Sequence, residues 1–442
     1  MNYVKGCCIL TLVIFLLLTL FGCQSRNSIP EPKLTSLHYR DFRGDDLSDL
    51  DLSGEKDLAK WLNFSSQTVF PAGDHAARGL SPEDVLKMGK DPGLGLRNLH
   101  RQGITGEGIN VAVIDKPIIQ NHSEFTGRMI YHVVSGKGEY REVLHDHGIG
   151  AASILAGATT GVAPRARIRY FAISNHVPYF PKYAEALRQI LAFNEGRSPE
   201  DQIKVVSISH GSGEGLEELN QVIEEAQTKG IIVVKPEKDY GALRFFGGRL
   251  PLGQGRQDPE GMVPFSWNDA NINLYTLLLS HDDWEDGRST LVQLLEQGKT
   301  APRSNFGGIP SLDIVTKEKA VEFLRSWDRW QTAGKSYHEF FQDMLKGNER
   351  FTREAVLVPA ESMTTASIAS ADAYIYWGSG GLSWATPYLA GVFTLGLQIN
   401  PDFDPQQLYR IIVDTAVRTE KGHWAIDPVA AVERVQRLAG ER

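Results

Sequence analysis

Four short apolar runs punctuate the middle of the chain: "INVAVID" (109–115), "ARIRYFAIS" (166–174), "IKVVSIS" (203–209) and "GIIVV" (230–234). Rich in β-branched residues and mostly unbroken, they have the pattern of strands buried on both faces. Between the last three the period changes. Tyr183, Leu187, Ile190 and Leu191 recur at helical spacing, as do Leu216, Leu219, Ile223 and Ala226, and Gly230 is placed to cap the second of these helices. Strand-helix-strand alternation of this kind predicts an α/β fold with an open, mostly parallel, doubly wound sheet and helices on both faces.

Local signals frame that region. Ser81-Pro82-Glu83-Asp84 predicts a helix start, with a capping serine, proline in the first turn and acids beside it. Asp404-Pro405-Gln406-Gln407 reads as a capping box opening "LYRIIVDTA" (408–416), and "DPVAAVERVQRLAG" (427–440) predicts a closing helix. From about 240 to 355 the alternation breaks and a large insert is expected. "FFGGRLPLGQGRQDPEG" (245–261) reads as loop, followed by two aromatic-rich helical patterns, Ala320/Phe323/Leu324/Trp327 and Tyr337/Phe340/Phe341/Met344.

The amino terminus has a different character. Lys5 precedes the apolar run "GCCILTLVIFLLLTLFG" (6–22) and then Cys23, a run short for a membrane-spanning helix and suited to a secretory signal. Residues 1–22 are expected to be a signal peptide, 23–90 a tether and N-terminal extension, and 91–442 the main domain with its insert. Within the extension, 24–33 is polar with two prolines, as flexible linkers are, and the acid-rich 41–57 reads as a solvated face. Cys7, Cys8 and Cys23 are the only cysteines, so an exported, processed chain has no disulfide and depends on a large core. The net charge of −8 argues against nucleic-acid binding.

Candidate chemistry follows from three residues. Asp115 ends a predicted buried strand, where open α/β sheets place their sites. His147 precedes the small residues Gly148, Gly150, Ala151, Ala152 and Ser153, which let the start of a helix press against its neighbours. Ser383 stands between two glycines and an apolar helical run, so it reads either as a nucleophile or as the N-cap of that helix. Aspartate, histidine and serine supply the three roles of acyl transfer: nucleophile, general base, and carboxylate that fixes the imidazole. Their chain order excludes an α/β-hydrolase, which needs its acid and histidine after the serine. His145-x-His147 offers two metal ligands from one strand without an evident third, and "HDDWEDG" (281–287) reads as a solvated acidic turn.

From about residue 92 to 435 the chain resembles the subtilisin-like serine peptidases, the subtilases. "GITGEGINVAVID" is similar to the family's aspartate motif, "HGIGAASILAG" to its histidine motif, "GVAPRARI" to the segment after it, "GGLSWATPYLAG" to its serine motif and "LYRIIVDTA" to the helix beyond. The resemblance implies a triad of Asp115, His147 and Ser383, with Ser209 and Gly211 of "SISHG" pairing with the backbone of a protein or peptide substrate. It implies no organic cofactor; calcium is frequent in the family, but no site transfers by motif. Leu20-Phe21-Gly22-Cys23 resembles the bacterial lipoprotein box, which implies lipid on Cys23 and an exported protein anchored to the cell membrane.

The chain also departs from the family pattern. Lys116-Pro117 follows the aspartate where a small hydroxyl residue and glycine are usual, and Ile149-Gly150 replaces threonine and a second histidine. Where the family has its oxyanion asparagine, this chain has "KPEKDYG", and the nearest alignment places Asp239 in that position. An ionised carboxylate there would repel an oxyanion. The expected function is therefore a lipid-anchored serine endopeptidase, with a catalytically impaired subtilase-fold binding or scaffold protein as the alternative.

Overall fold

In the computed structural model the described residues are 40–134, 143–173, 180–211, 215–236, 243–264, 353–420 and 422–441. The chain divides into two units, Met1–Leu34 and Thr35–Arg442, and all described residues belong to the second. The predicted helices at 320–327 and 337–344, the acidic turn at 281–287, Asp239 and Cys23 all lie outside the described residues.

The expected parallel sheet is present. It contains β2 (Asn110–Asp115), β3 (Met129–Val133), β4 (Arg167–Ala172), β5 (Ile203–Ser207) and β6 (Ile232–Val234), in the order β3-β4-β2-β5-β6. Every neighbouring pair in it is parallel. Because successive side chains of a strand point to opposite faces, β2 feeds two cores. Val111 and Val113 join the core shared with α3 (Asp146–Ala156) and α6 (Leu382–Ile399). Ala112 and Ile114 join the core shared with α4 (Phe180–Asn194) and α5 (Leu216–Thr228). That division makes the sheet doubly wound, and it explains why the strand lacks alternation in sequence: both faces are buried.

Local signals hold where tested. Ser81 Oγ accepts from the Asp84 amide at 3.1 Å and opens α1 (Pro82–Gly89). Asp404 caps α7 (Pro405–Thr415) and Asp427 caps α8 (Pro428–Gly440). Beyond α5, Gly230 has φ of 78°, the left-handed conformation that ends a helix at little cost to glycine.

Two further sheets were not legible. The stretch read as loop begins with a strand, β7 (Arg244–Arg249), paired in parallel with β9 (Ala355–Glu361). Its glycines disguised it. A Cβ at Gly248 would stand 2.4 Å from the sulfur of Met262, so the strand needs glycine to let that side chain lie against it. With β8 (Val263–Pro264), β12 (Val417–Arg418) and β13 (Trp424–Ala425), these form the order β12-β13-β9-β7-β8. The third sheet is antiparallel, with β11 (Tyr374–Trp377) between β1 (Asn63–Ser65) and β10 (Met363–Ala366).

β1 comes from the segment read as an extension with a solvated acidic face. Asp45, Asp49 and Asp51 are exposed, as that reading expects. Leu52, Leu58, Leu62 and Phe64 are instead buried with Val85 and Tyr376 in a small core of their own.

Candidate active site

Asp115, His147 and Ser383 arrive from three elements. Asp115 ends β2 and is fully buried, and its Oδ1 accepts from the Lys116 amide at 2.7 Å. His147 is the second residue of α3. His145 is the N-cap of that helix, not a strand residue, and its Nδ1 accepts from the His147 amide at 3.0 Å. The small residues after His147 have the anticipated purpose. A Cβ at Gly148 would stand 2.7 Å from the Lys116 carbonyl oxygen, and one at Gly150 would stand 2.9 Å from the Trp384 ring. Glycine at both positions lets α3 close on the end of β2 and on α6.

The result is a hydrogen-bonded pair. His147 Nδ1 lies 2.9 Å from both carboxylate oxygens of Asp115. Full burial alone would push the Asp115 carboxyl up; the charge and hydrogen bond of His147, with help from His210 and the Lys116 amide, bring it down to about 2. An ionised carboxylate only accepts, so Nδ1 donates and, in the neutral ring, Nε2 is left as acceptor. The Trp384 ring packs 5.5 Å from the imidazole, centroid to centroid, and Trp377 lies 5.1 Å behind Trp384.

Ser383 does not cap its helix. Gly381 is the N-cap of α6, without a side-chain bond, and Ser383 is the second helical residue. Its Oγ donates to the Ser209 carbonyl at 3.2 Å, while Ser209 Oγ donates to the Ser383 carbonyl at 2.9 Å. No hydrogen bond joins Ser383 to His147 among the described contacts. The backbone N–H of Ser383 belongs to the first turn, where helices leave amides without intrahelical partners.

Ser209 and Gly211 follow the end of β5, beside Ser383. The Gly211 carbonyl accepts from the ammonium of Lys235, a buried residue just past β6 that also reaches the Pro236 carbonyl at 3.1 Å. Between Ser209 and Gly211 stands His210, whose ring centroid is 5.0 Å from that of His147. Burial holds His210 down at about 4, although the Asp115 charge pulls the other way. Burial also raises Tyr183 well above its ordinary range, so its hydroxyl keeps the proton, and it shares a hydrogen bond of 2.6 Å with His210 Nδ1. Sequence reasoning passed over both His210 and Lys235. The signal available was a titratable residue inside or just beyond an apolar strand.

Asp115, His147 and His210 bring ligand atoms within 4.8 Å of one another, a spacing compatible with an ion. Two imidazoles suit zinc better than calcium. An ion there would compete for the carboxylate and imidazole that bond each other at 2.9 Å.

The family model described as the subtilase family matches residues 106–235. That span contains Asp115, His147, Ser209 and Gly211; Ser383 lies beyond it. Similar solved structures include one titled "Structural basis of subtilase cytotoxin SubAB assembly", 15% identical, covering 79% of this chain and 96% of that one with a TM-score of 0.47. Another is the prenylagaramide maturation protease PagA, 19% identical, covering 77% and 98% with a TM-score of 0.41. A third is a cold-adapted subtilisin-like serine proteinase, 17% identical, covering 73% and 89% with a TM-score of 0.40. The matched family is one of serine-type peptidases, in keeping with the paired aspartate and histidine. Residues 106–235, and with them the Asp115 and His147 motifs, match the model of the subtilase family.

Proposed function

We propose that the protein is a serine endopeptidase that hydrolyses peptide bonds through Asp115, His147 and Ser383. The observation that carries this reading is the Asp115–His147 pair at 2.9 Å, with a serine on the second residue of the neighbouring helix. His147 Nε2 takes the Ser383 proton as Oγ attacks the scissile carbonyl, and the amine leaves with that proton, giving an acyl-enzyme. Water then attacks, again losing its proton to Nε2, and releases the acid and Ser383. The oxyanion is held by the Ser383 amide, at the positive end of an 18-residue helix. Substrate backbone pairs beside Ser209 and Gly211 as an added strand. In this reading lipid on Cys23 holds the enzyme at the outer face of a bacterial membrane.

Attack requires Ser383 Oγ to leave the Ser209 carbonyl, a rotation about one side-chain bond. Catalytic hydrogen bonds are commonly long or misaligned without substrate and tighten when it binds. The same bond favours a second reading, a subtilase-fold binding or scaffold protein with its serine held away from the base. Hydrolysis of a peptide mixture, followed by mass spectrometry, separates the two. The peptidase reading expects fragments from wild type and none above background from Ser383→Ala. Folded wild-type protein that leaves every peptide intact supports the scaffold.

A further inference from the structure

The N-terminal segment touches both halves of the active site. At the serine side, Asn63 in β1 is 1% exposed and its Oδ1 accepts twice from Ser379, from the amide at 3.0 Å and from Oγ at 3.3 Å. The Leu62 carbonyl accepts from the Gly378 amide at 3.0 Å. These contacts grip the turn that leads from β11 into α6 and presents Ser383. The fit is close on both sides. A Cβ at Gly378 would stand 2.6 Å from the Leu62 carbonyl oxygen, and one at Gly380 would stand 1.8 Å from the Ala360 carbonyl oxygen. Asn63 is itself fixed, since its amide donates to the Arg40 carbonyl and its carbonyl accepts from the Phe42 amide.

At the histidine side, Asp41 holds the Arg43 guanidinium through Nε and Nη2. Arg43 Nη1 reaches Asp146 Oδ2 at 3.4 Å, and the guanidinium lies over the Trp377 ring, 4.7 Å from its centroid. Asp146, next to His147, also accepts from Ser367 Oγ at 2.8 Å and the Ile368 amide at 3.0 Å. Its carboxylate therefore ties the first turn of α3 to the N-terminal segment and to the chain leaving β10.

We propose that residues 40–90 are a permanent wall of the catalytic domain and that Asn63 is a positioning residue for the serine turn, with Arg43 its counterpart at the histidine helix. The proposal rests on the serine-peptidase reading for its catalytic consequence and on the hydrogen bonds alone for its structural one. A propeptide discarded on maturation would leave the Ser379 amide and hydroxyl without their buried acceptor. The turn would then lose the acceptor that fixes its shape.

Asn63→Leu removes the acceptor at similar volume, and Asn63→Asp keeps an oxygen that accepts. Amide hydrogen exchange of the 374–384 peptide reads the grip without calling on activity. Asn63→Leu should speed its exchange by about tenfold or more while leaving the 203–209 peptide unchanged, and Asn63→Asp should stay near wild type. Fluorophosphonate labelling of the folded fraction reads the catalytic consequence and should slow by about tenfold in Asn63→Leu, with recovery in Asn63→Asp. If Asn63→Leu fails to fold, Ser379→Ala, which deletes only the hydroxyl bond, gives the same readings at smaller amplitude. Unchanged exchange in both substitutions overturns the proposal. So does an active, probe-labelled species whose mass shows that it begins after residue 90. Wild type that resists the probe while exchange responds as expected counts against the peptidase reading and leaves the wall standing.

Discussion

Ser209 and Ser383 bond each other twice, each hydroxyl donating to the other's main-chain carbonyl, at 2.9 and 3.2 Å. Pro387 explains half of this. Pro387, the sixth residue of α6, has no N–H to give the carbonyl of residue i−4, here Ser383, so that oxygen needs another donor. Ser209 Oγ supplies it and ties α6 to the end of β5. Ser209→Ala should therefore lower kcat/KM by about tenfold, because an acceptor at the reacting residue loses its partner. Peptide kinetics with matched thermal melts check this, and an unchanged kcat/KM would show that the tie has no part in positioning.

Asp115→Asn should be far more damaging. An amide accepts through oxygen but also donates, so it can stabilise the imidazole tautomer with the proton on Nε2, which cannot act as base. A fall in kcat of about 10⁴ is expected, with little change in melting temperature. Steady-state kinetics on purified protein decide it, and a loss under tenfold would remove Asp115 from the mechanism.

Acid should destabilise the fold well before it reaches Asp115. Burial holds His210 at about 4 and His423 at about 3, below the ordinary 6.5. As pH falls below about 6.5 the unfolded chain gains protons that the folded chain refuses, so stability falls. Asp115, held at about 2 against an ordinary 3.8, extends the same trend below pH 4. Melting temperature should drop from pH 6.5 toward 4, and less steeply in His423→Leu. A flat or rising curve would contradict this.

Gly380→Ala tests the packing of the serine turn. The added methyl meets the Ala360 carbonyl oxygen at 1.8 Å, backbone that cannot swing aside. Overpacking of this kind costs about 1–3 kcal/mol and here displaces Ser383 as well. Both melting temperature and activity should fall; a neutral substitution would mean that the turn tolerates another path.

Anchoring is tested separately. If lipid is attached at Cys23, Cys23→Ala should abolish incorporation of labelled fatty acid and release the protein from membranes. An unlabelled precursor that still sediments with membranes would favour an uncleaved signal anchor.

Much of this architecture was legible because its signals are local. β2, β4, β5 and β6 are mostly unbroken apolar runs, and α4 and α5 carry helical spacing, the second with a glycine stop. His147 and Ser383 each stand in a motif with small residues nearby, and small residues mark close approach. What escaped depends on contacts distant in sequence. β1 is three residues long and too short to show a period, yet Asn63 meets Ser379 across 316 positions. Arg43 stands amid acids that suggest solvent, but its partner Asp146 lies 103 positions away. β7 was hidden by glycines that its packing demands. Lys235 and His210 stand just beyond apolar strands; Lys235 is buried and His210 packs against His147.

Activation of Ser383 by His147 is read from covalent labelling of the serine. Purified wild type, Ser383→Ala and His147→Ala are exposed to a fluorophosphonate probe at neutral pH, and the labelled residue is mapped by mass spectrometry. A Ser383 nucleophile gives stoichiometric, time-dependent modification of wild type at Ser383, none in Ser383→Ala, and a rate lowered by orders of magnitude in His147→Ala. Folded wild type that remains unmodified, or modification at a serine other than 383, would contradict it.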